Sequence, residues 1–377
     1  MFERLKSSAR RFAQRDKMTE SDDKAPLPRL VAEPWYVDRI EINDHRVAVS
    51  GWSMPPDPLT KPAQGWFLIN GLPFDHTSYP LPRADVGEVF WQRQGAAMSG
   101  YECSIDNIEQ IYPGGVLEIR RVNPRTPEIE RGRDAWFIPD PASHTHTPDE
   151  DQRFRVIGNR DLRGFFISGA TDYRRLDHVL QCLRGKRLHQ FNRVLDWGVG
   201  CGRIARHFPK AYAASLVGCD IDHDNVEWCR SHLPGMYLPI TATAPLPFPD
   251  STFDLVYGVS VFTHFGEATQ LRWLDELRRI SMPGATLLMT IHGRTALDFG
   301  RLPREEYWRL CEQVNRKGIL VSGANAQLDG HADHGGEYVN VYHSAAYIRD
   351  TWSRYFQVEH ILPGYLLHQD LVVLRKR

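Results

Sequence analysis

The sequence predicts an α/β protein with a doubly wound sheet ending in an antiparallel C-terminal hairpin, preceded by a smaller all-β sandwich domain. Three observations predict it. Apolar residues between Trp35 and Asp140 recur with period two between Gly, Pro and Asn turns. After Pro148 helical and strand patterns alternate, as parallel sheets require. The last two strand patterns, Phe356 to Ile361 and His368 to Leu374, have no helix between them, which fits a closing hairpin.

The 377 residues exceed one ordinary domain. With 42% hydrophobic and 25% charged residues the chain has the composition of a globular protein. Forty-six Lys and Arg against 47 Asp and Glu give a net charge of -1, so no bulk attraction to nucleic acid follows, and no nucleic-acid partner is expected. Apolar runs such as Leu287 to Ile291 are far shorter than the roughly 20 residues of a membrane span. The charged first residues do not read as a secretory signal, and the six scattered cysteines form no CxxC pair. A cytoplasmic protein with reduced thiols is expected.

Residues 1–34 are basic, then polar and Pro-containing, and read as a flexible tail. Phe2, Leu5, Ala9 and Phe12 at helical spacing leave room for a peripheral membrane or assembly-complex contact through that tail. Residues 35–140 form the accessory domain. Val37 to Ile42 and Arg46 to Trp52 read as a hairpin around Asn43-Asp44-His45. Asn70-Gly71 marks a tight turn, and further strands fall at Tyr101 to Ile105 and Val116 to Val122. The patterns Val49-Ser50-Gly51-Trp52, Asn70-Gly71, Arg83-Ala84-Asp85-Val86 and Ser99-Gly100-Tyr101 resemble β-sandwich modules found beside enzymes of bacterial surface-polysaccharide synthesis. Arg83 and Asp85 also have a plain reading as an internal ion pair. Residues 141–154, rich in Pro, Ser and Thr, read as a linker, with His144 and His146 expected to be solvated.

In residues 155–377, Tyr173, Leu176, Leu180 and Leu183 mark a helix, and Val194-Leu195 a strand running into Asp196-Trp197-Gly198-Val199-Gly200-Cys201-Gly202. A glycine-rich turn after a strand and before a helix lets a nucleoside-bearing ligand approach bare backbone. Asp196 would repel a pyrophosphate and attract an ammonium group, which favours S-adenosylmethionine over NAD. Asp220 ends the next strand, 18 residues after Gly202, where a carboxylate can accept both ribose hydroxyls. Leu246-Pro247-Phe248 precedes the strand around Phe253-Asp254. Leu271, Leu274, Leu277 and Ile280 give a helix ended by Pro283-Gly284, before the strand Ala285 to Ile291.

This ordered series resembles class I S-adenosylmethionine-dependent methyltransferases, whose sheet is Rossmann-like. The resemblance implies S-adenosyl-L-methionine as cofactor, held by Asp196, Trp197, Gly198, Gly200, Gly202, Asp220, Ile221, Thr243 and Ser260. One departure is Ala242, where relatives often carry an Asp that binds the adenine amine. The ending Gln369-Asp370-Leu371-Val372-Val373-Leu374 resembles methyltransferases associated with surface polysaccharides.

A sugar hydroxyl needs a base, and histidines at the carboxyl ends of strands are candidates. His292 follows the fifth strand and is the first choice, with His264 after the fourth and His331 in the Gly330 to Glu337 insertion, which resembles an active-site lid or substrate loop. His331, Asp333 and His334 match no standard metal spacing, so no metal is expected. The reading is an O-methyltransferase acting on a sugar hydroxyl of a glycan or glycolipid precursor. Its rivals are a small-molecule or lipid methyltransferase, a non-catalytic glycan-binding or assembly protein that keeps the fold, and a Rossmann dehydrogenase, which Asp196 disfavours.

Overall fold

A computed structural model describes residues 33–43, 45–54, 65–324 and 339–377. Most of the N-terminal tail and the insertion containing His331 lie outside these residues.

The N-terminal strands form two four-stranded antiparallel sheets. One has the order β1 (Trp35–Asn43), β2 (Arg46–Ser53), β6 (Gly100–Ile105), β5 (His76–Leu81). The other is β4 (Leu72–Pro73), β3 (Phe67–Ile69), β7 (Val116–Arg121), β8 (Ala135–Pro139). Alternate residues of both sheets, including Val47, Val49 and Cys103 of the first and Ile69, Leu117 and Ile138 of the second, bury into one apolar cluster, as the period-two pattern requires. Asn70 adopts the left-handed conformation at the expected turn. Between β5 and β6 a short helix, α1 (Ala84–Val89), begins just after Arg83, whose guanidinium grips Asp85 at 2.8 and 2.7 Å and Asp38 at 2.6 Å. The Arg83 and Asp85 pair is internal, as its plain reading has it.

After β8 the chain makes one short turn, and Asp149 caps α2 (Glu150–Ile157) with a full capping box. His144 is not simply solvated: its ring stacks on Phe166 at 3.5 Å between centroids. The long helix α3 (Leu162–Arg184) follows, and α3 packs on β8. The seven-stranded sheet has the order β11 (Met236–Pro239), β10 (Leu216–Asp220), β9 (Val194–Trp197), β12 (Phe253–Gly258), β13 (Ser281–Ile291), β17 (Gln369–Arg375), β16 (Gln357–Leu366). β9 to β13 run parallel, and β17 pairs antiparallel with both β13 and β16. The expected closing hairpin is therefore present. Helices α4 (His223–His232) and α5 (Glu267–Ile280) flank the sheet; α6 (Arg294–Asp298), α7 (Arg304–Lys317) and α8 (Ala345–Thr351) follow β13, and β14 (Ile319–Ala324) pairs with β15 (Val339–His343).

Two local expectations fail. No regular helix follows the glycine loop: a 3₁₀ turn at Ala205–His207 ends before Pro209, which cannot donate a backbone hydrogen bond. α5 is not ended by Pro283-Gly284 either, because β13 starts at Ser281 and takes those residues into its first turn of chain.

The N-terminal sheets are docked on the larger sheet's layer. Trp52, Phe90 and Val86 enclose Phe299, and Gln92 Nε2 donates to the Asp298 carbonyl at 3.2 Å. Arg175 of α3 donates to the carbonyls of Arg133 and Ala135.

Candidate active site

The carboxyl ends of β9, β10, β12 and β13 open into a cavity of about 610 Å³, a size suited to a small organic ligand. Its first wall is the loop after β9. Gly198, Gly200 and Gly202 have φ of 84°, 53° and 72°, the region that only glycine enters readily. A Cβ on Gly200 would meet Val156 at 2.7 Å, and one on Gly198 would collide with Val261. Gly202 does not line the cavity; it lets the chain pass beneath Leu233 and Cys229.

Asp220 organises the loop. Its Oδ2 accepts the Gly200 N–H at 2.7 Å and its Oδ1 the Asp222 N–H at 2.9 Å. Burial raises its carboxyl to about 6 despite these bonds. Asp196 is 3% exposed and accepts the Tyr257 hydroxyl at 2.8 Å; burial pushes it up to about 7. A cationic ligand beside Asp196 would return it to the ionised form.

Trp197, Ile221 and Ser260 line the cavity as expected, together with Ile240 and Ala242. Thr243 does not. It is exposed and its carbonyl accepts the Thr241 hydroxyl at 2.9 Å, so Ala242 is the residue that faces the cavity. Two polar groups escaped the sequence reading: Arg155 of α2 and Asp222, buried partners at 2.6 Å that tie α2 to the cap of α4. Their distance of 67 positions in sequence hides the pair.

The opposite wall carries histidines. His264 is buried, its ring nitrogen Nδ1 lies 3.1 Å from the Val339 carbonyl, and burial lowers it to about 4. His292 lies 6.3 Å from His264 between ring centroids, and burial drives it well below its ordinary value. Its Nδ1 has no hydrogen-bond partner among the described residues. A third histidine, His368, was missed; it stands 5.7 Å from His292 and burial lowers it to about 4. Burial favours the uncharged imidazole at all three, which leaves each a ring nitrogen able to accept a hydrogen bond from a hydroxyl and makes each a weaker base than a free histidine. His331 lies outside the described residues. Among the described residues no group of three His, Cys, Asp or Glu side chains is arranged to hold a metal ion.

This donor set fits S-adenosylmethionine: carboxylates for an ammonium group and a ribose diol, bare loop backbone, and apolar Ile221, Ile240 and Ala242 for a flat base. Residues 195–289 match the family described as "Methyltransferase domain". The chain is 29% identical over 136 residues to malonyl-[acyl-carrier protein] O-methyltransferase of Geobacter sulfurreducens, covering 33% of this chain and 47% of that protein. It is 33% identical over 104 residues to phthiotriol/phenolphthiotriol dimycocerosates methyltransferase 1 of Mycobacterium ulcerans, covering 26% and 36%. Among solved structures it is similar to an S-adenosylmethionine-dependent methyltransferase of Methanosarcina mazei, at 16% identity and a TM-score of 0.38, covering 52% of this chain and 96% of that one. The chain spans less than half the length of the two curated relatives. The segment of residues 195–289 is thus similar to methyltransferase domains.

Proposed function

We propose that the chain is an S-adenosylmethionine-dependent O-methyltransferase acting on a sugar hydroxyl of a glycan or glycolipid precursor, with residues 35–140 as a β-sandwich accessory domain, 141–154 as the linker and 155–377 as the catalytic domain. The observation that carries hydroxyl chemistry is the group of neutral histidines facing the loop of Gly198 and Asp220 across one cavity. An amine or thiolate acceptor attacks a methyl group without help, whereas a hydroxyl gains about 10²–10⁴-fold from a placed base. When bound, the cofactor supplies an electrophilic methyl group on a positively charged sulfur. Asp220 and Asp196 hold its polar ends, Ile221 and Ala242 flank its base, and a histidine of the opposite wall, among His264, His292 and His368, takes the acceptor proton. The strands of both N-terminal sheets share one core, which supports the sandwich reading.

The test is transfer from methyl-labelled S-adenosylmethionine to a panel of oligosaccharides and sugar nucleotides. Label recovered as a sugar methyl ether supports the reading. Label found only in lipids or amines transfers the assignment to the small-molecule class. Among the described residues no helix is long and apolar enough to cross a membrane.

A further inference from the structure

A second cavity of about 250 Å³ adjoins the first, and Ser260, His368 and Gln369 line both. It lies between α3 and the N-terminal sheets, which contribute Tyr36, Asp38, Ile40 and Trp136. Every charged side chain lining it already has a partner. Asp38 pairs with Arg83 at 2.6 Å and Asp172 with Arg203 at 2.6 Å. Asp161 caps α3 by accepting the Arg163 N–H at 3.0 Å, and Arg163 donates to the Ile40 carbonyl at 3.0 Å. Arg175 donates from Nη1 and Nη2 to the carbonyls of Tyr365, Arg133 and Ala135, and its Nε is buried without a hydrogen-bond partner among the described residues. The carboxylates of Asp38, Asp161 and Asp172 balance the guanidinium groups of Arg163, Arg175 and Arg203, so the chamber offers no net charge to attract an ion. Trp136 Nε1 is likewise buried without a hydrogen-bond partner among the described residues, beside Ser168 and the apolar Ile40, Ile138 and Ile167, so the wall joins two unpaired N–H donors to apolar surface. Such a wall suits a neutral polyhydroxylated acceptor with apolar surface.

The junction between the cavities is held in an unusual conformation. Leu367, in the turn between β16 and β17, has φ of 62°, and Ser260, two residues beyond β12, also has φ of 62°. Left-handed backbone at two non-glycine residues is strained and persists only where neighbours enforce it. Here Gln369 Nε2 donates to Ser260 Oγ at 2.6 Å, the Ser260 N–H donates to Thr290 Oγ1 at 2.7 Å, and Leu367 packs on the N-terminal clusters. The outcome is that His368, between Leu367 and Gln369, stands where the two cavities meet. Its Nδ1 is buried without a hydrogen-bond partner among the described residues.

Resting on the methyltransferase reading, we propose that this second chamber is the acceptor site, that it takes a neutral glycoside, and that His368 receives the proton of the reacting hydroxyl. The acceptor oxygen bonds to the methyl carbon, the carbon–sulfur bond breaks with its electron pair on sulfur, and the hydroxyl proton passes to the imidazole and then to water. The N-terminal sheets thereby form one wall of the acceptor site.

The test uses the full chain saturated with S-adenosylhomocysteine, titrated with octyl β-D-glucoside below its micellar concentration and with glucose 1-phosphate as anionic control. The glucoside binds and the phosphate does not. Ser168→Trp fills the chamber and weakens glucoside binding at least about tenfold, with unchanged affinity for S-adenosylhomocysteine. His368→Gln lowers the turnover of methyl transfer to the glucoside by about 10²–10⁴ with little change in KM, and added imidazole restores part of it. Failure of the wild type to bind or methylate the glucoside overturns the chamber assignment, as does Ser168→Trp binding it normally. Wild-type turnover in His368→Gln overturns the proton role. Failure to bind S-adenosylhomocysteine is the separate outcome that sinks the methyltransferase reading itself.

Discussion

Removing the Asp220 carboxylate tests the loop and the cofactor site together. Its two oxygens accept N–H groups at 2.7 and 2.9 Å. In Asp220→Ala both donors lose their acceptor, and a buried unsatisfied donor costs about 1–3 kcal/mol, so the native state loses about 2–6 kcal/mol. The same variant loses the hydrogen bonds of a charged acceptor to the ribose, about 1.5–3 kcal/mol, or roughly 10- to 150-fold in affinity. Asp220→Asn keeps one acceptor oxygen and a near-native shape, so it separates the two losses. Calorimetric titration with S-adenosylmethionine measures the binding term and urea unfolding the stability term. Burial holds the folded carboxyl at about 6, above its unfolded value of 3.8. Its burial penalty is therefore complete above pH 6 and is relieved as pH falls, while cofactor affinity weakens below pH 6 because the acid has one fewer acceptor site. Unchanged affinity in both variants, with both folded, would refute the ribose assignment.

Other outcomes follow from packing and titration. Phe299→Ala empties the cluster of Trp52 and Phe90, where ring centroids lie 6.4 and 4.9 Å away, and lowers stability by about 3–5 kcal/mol in urea unfolding. His343 is buried, its Nε2 lies 2.7 Å from Gln270 Nε2 and 3.1 Å from Gln270 Oε1, and burial depresses it to about 3. Below pH 6.5 the unfolded chain takes a proton that this folded histidine refuses, so its contribution to stability falls as pH drops from 6.5 toward 3, by up to about 1.36 kcal/mol per unit. His343→Gln removes that slope, which unfolding curves recorded between pH 7 and 5 will show.

Much of the larger sheet was legible because its signals are local. The Val194 to Gly202 sequence places a strand and a left-handed loop within nine residues, and Asp220 follows at the end of the next strand. The closing hairpin was legible for the same reason. What escaped depended on distant partners. β5 and β8 lack a strong apolar alternation of their own and are strands through pairing with β6 and β7. Arg155 gains its place from Asp222, and the second chamber exists only once β1 and β8 face α3. His368 reads in sequence as the first residue of a strand. A shift of one position puts it in the turn and brings it to the cavity, and no local pattern fixes that register. Thr243 was misplaced for a similar reason: a loop fixes the neighbourhood of the adenine site but not which of two adjacent side chains faces it.

The most direct measurement of the central claim is parallel calorimetric titration of the purified chain with S-adenosylmethionine, S-adenosylhomocysteine and NAD. Binding of both adenosyl ligands at one site, lost together in Asp220→Ala, with no heat from NAD, is the predicted result. Binding of NAD, or of neither adenosyl ligand to the folded chain, would contradict it.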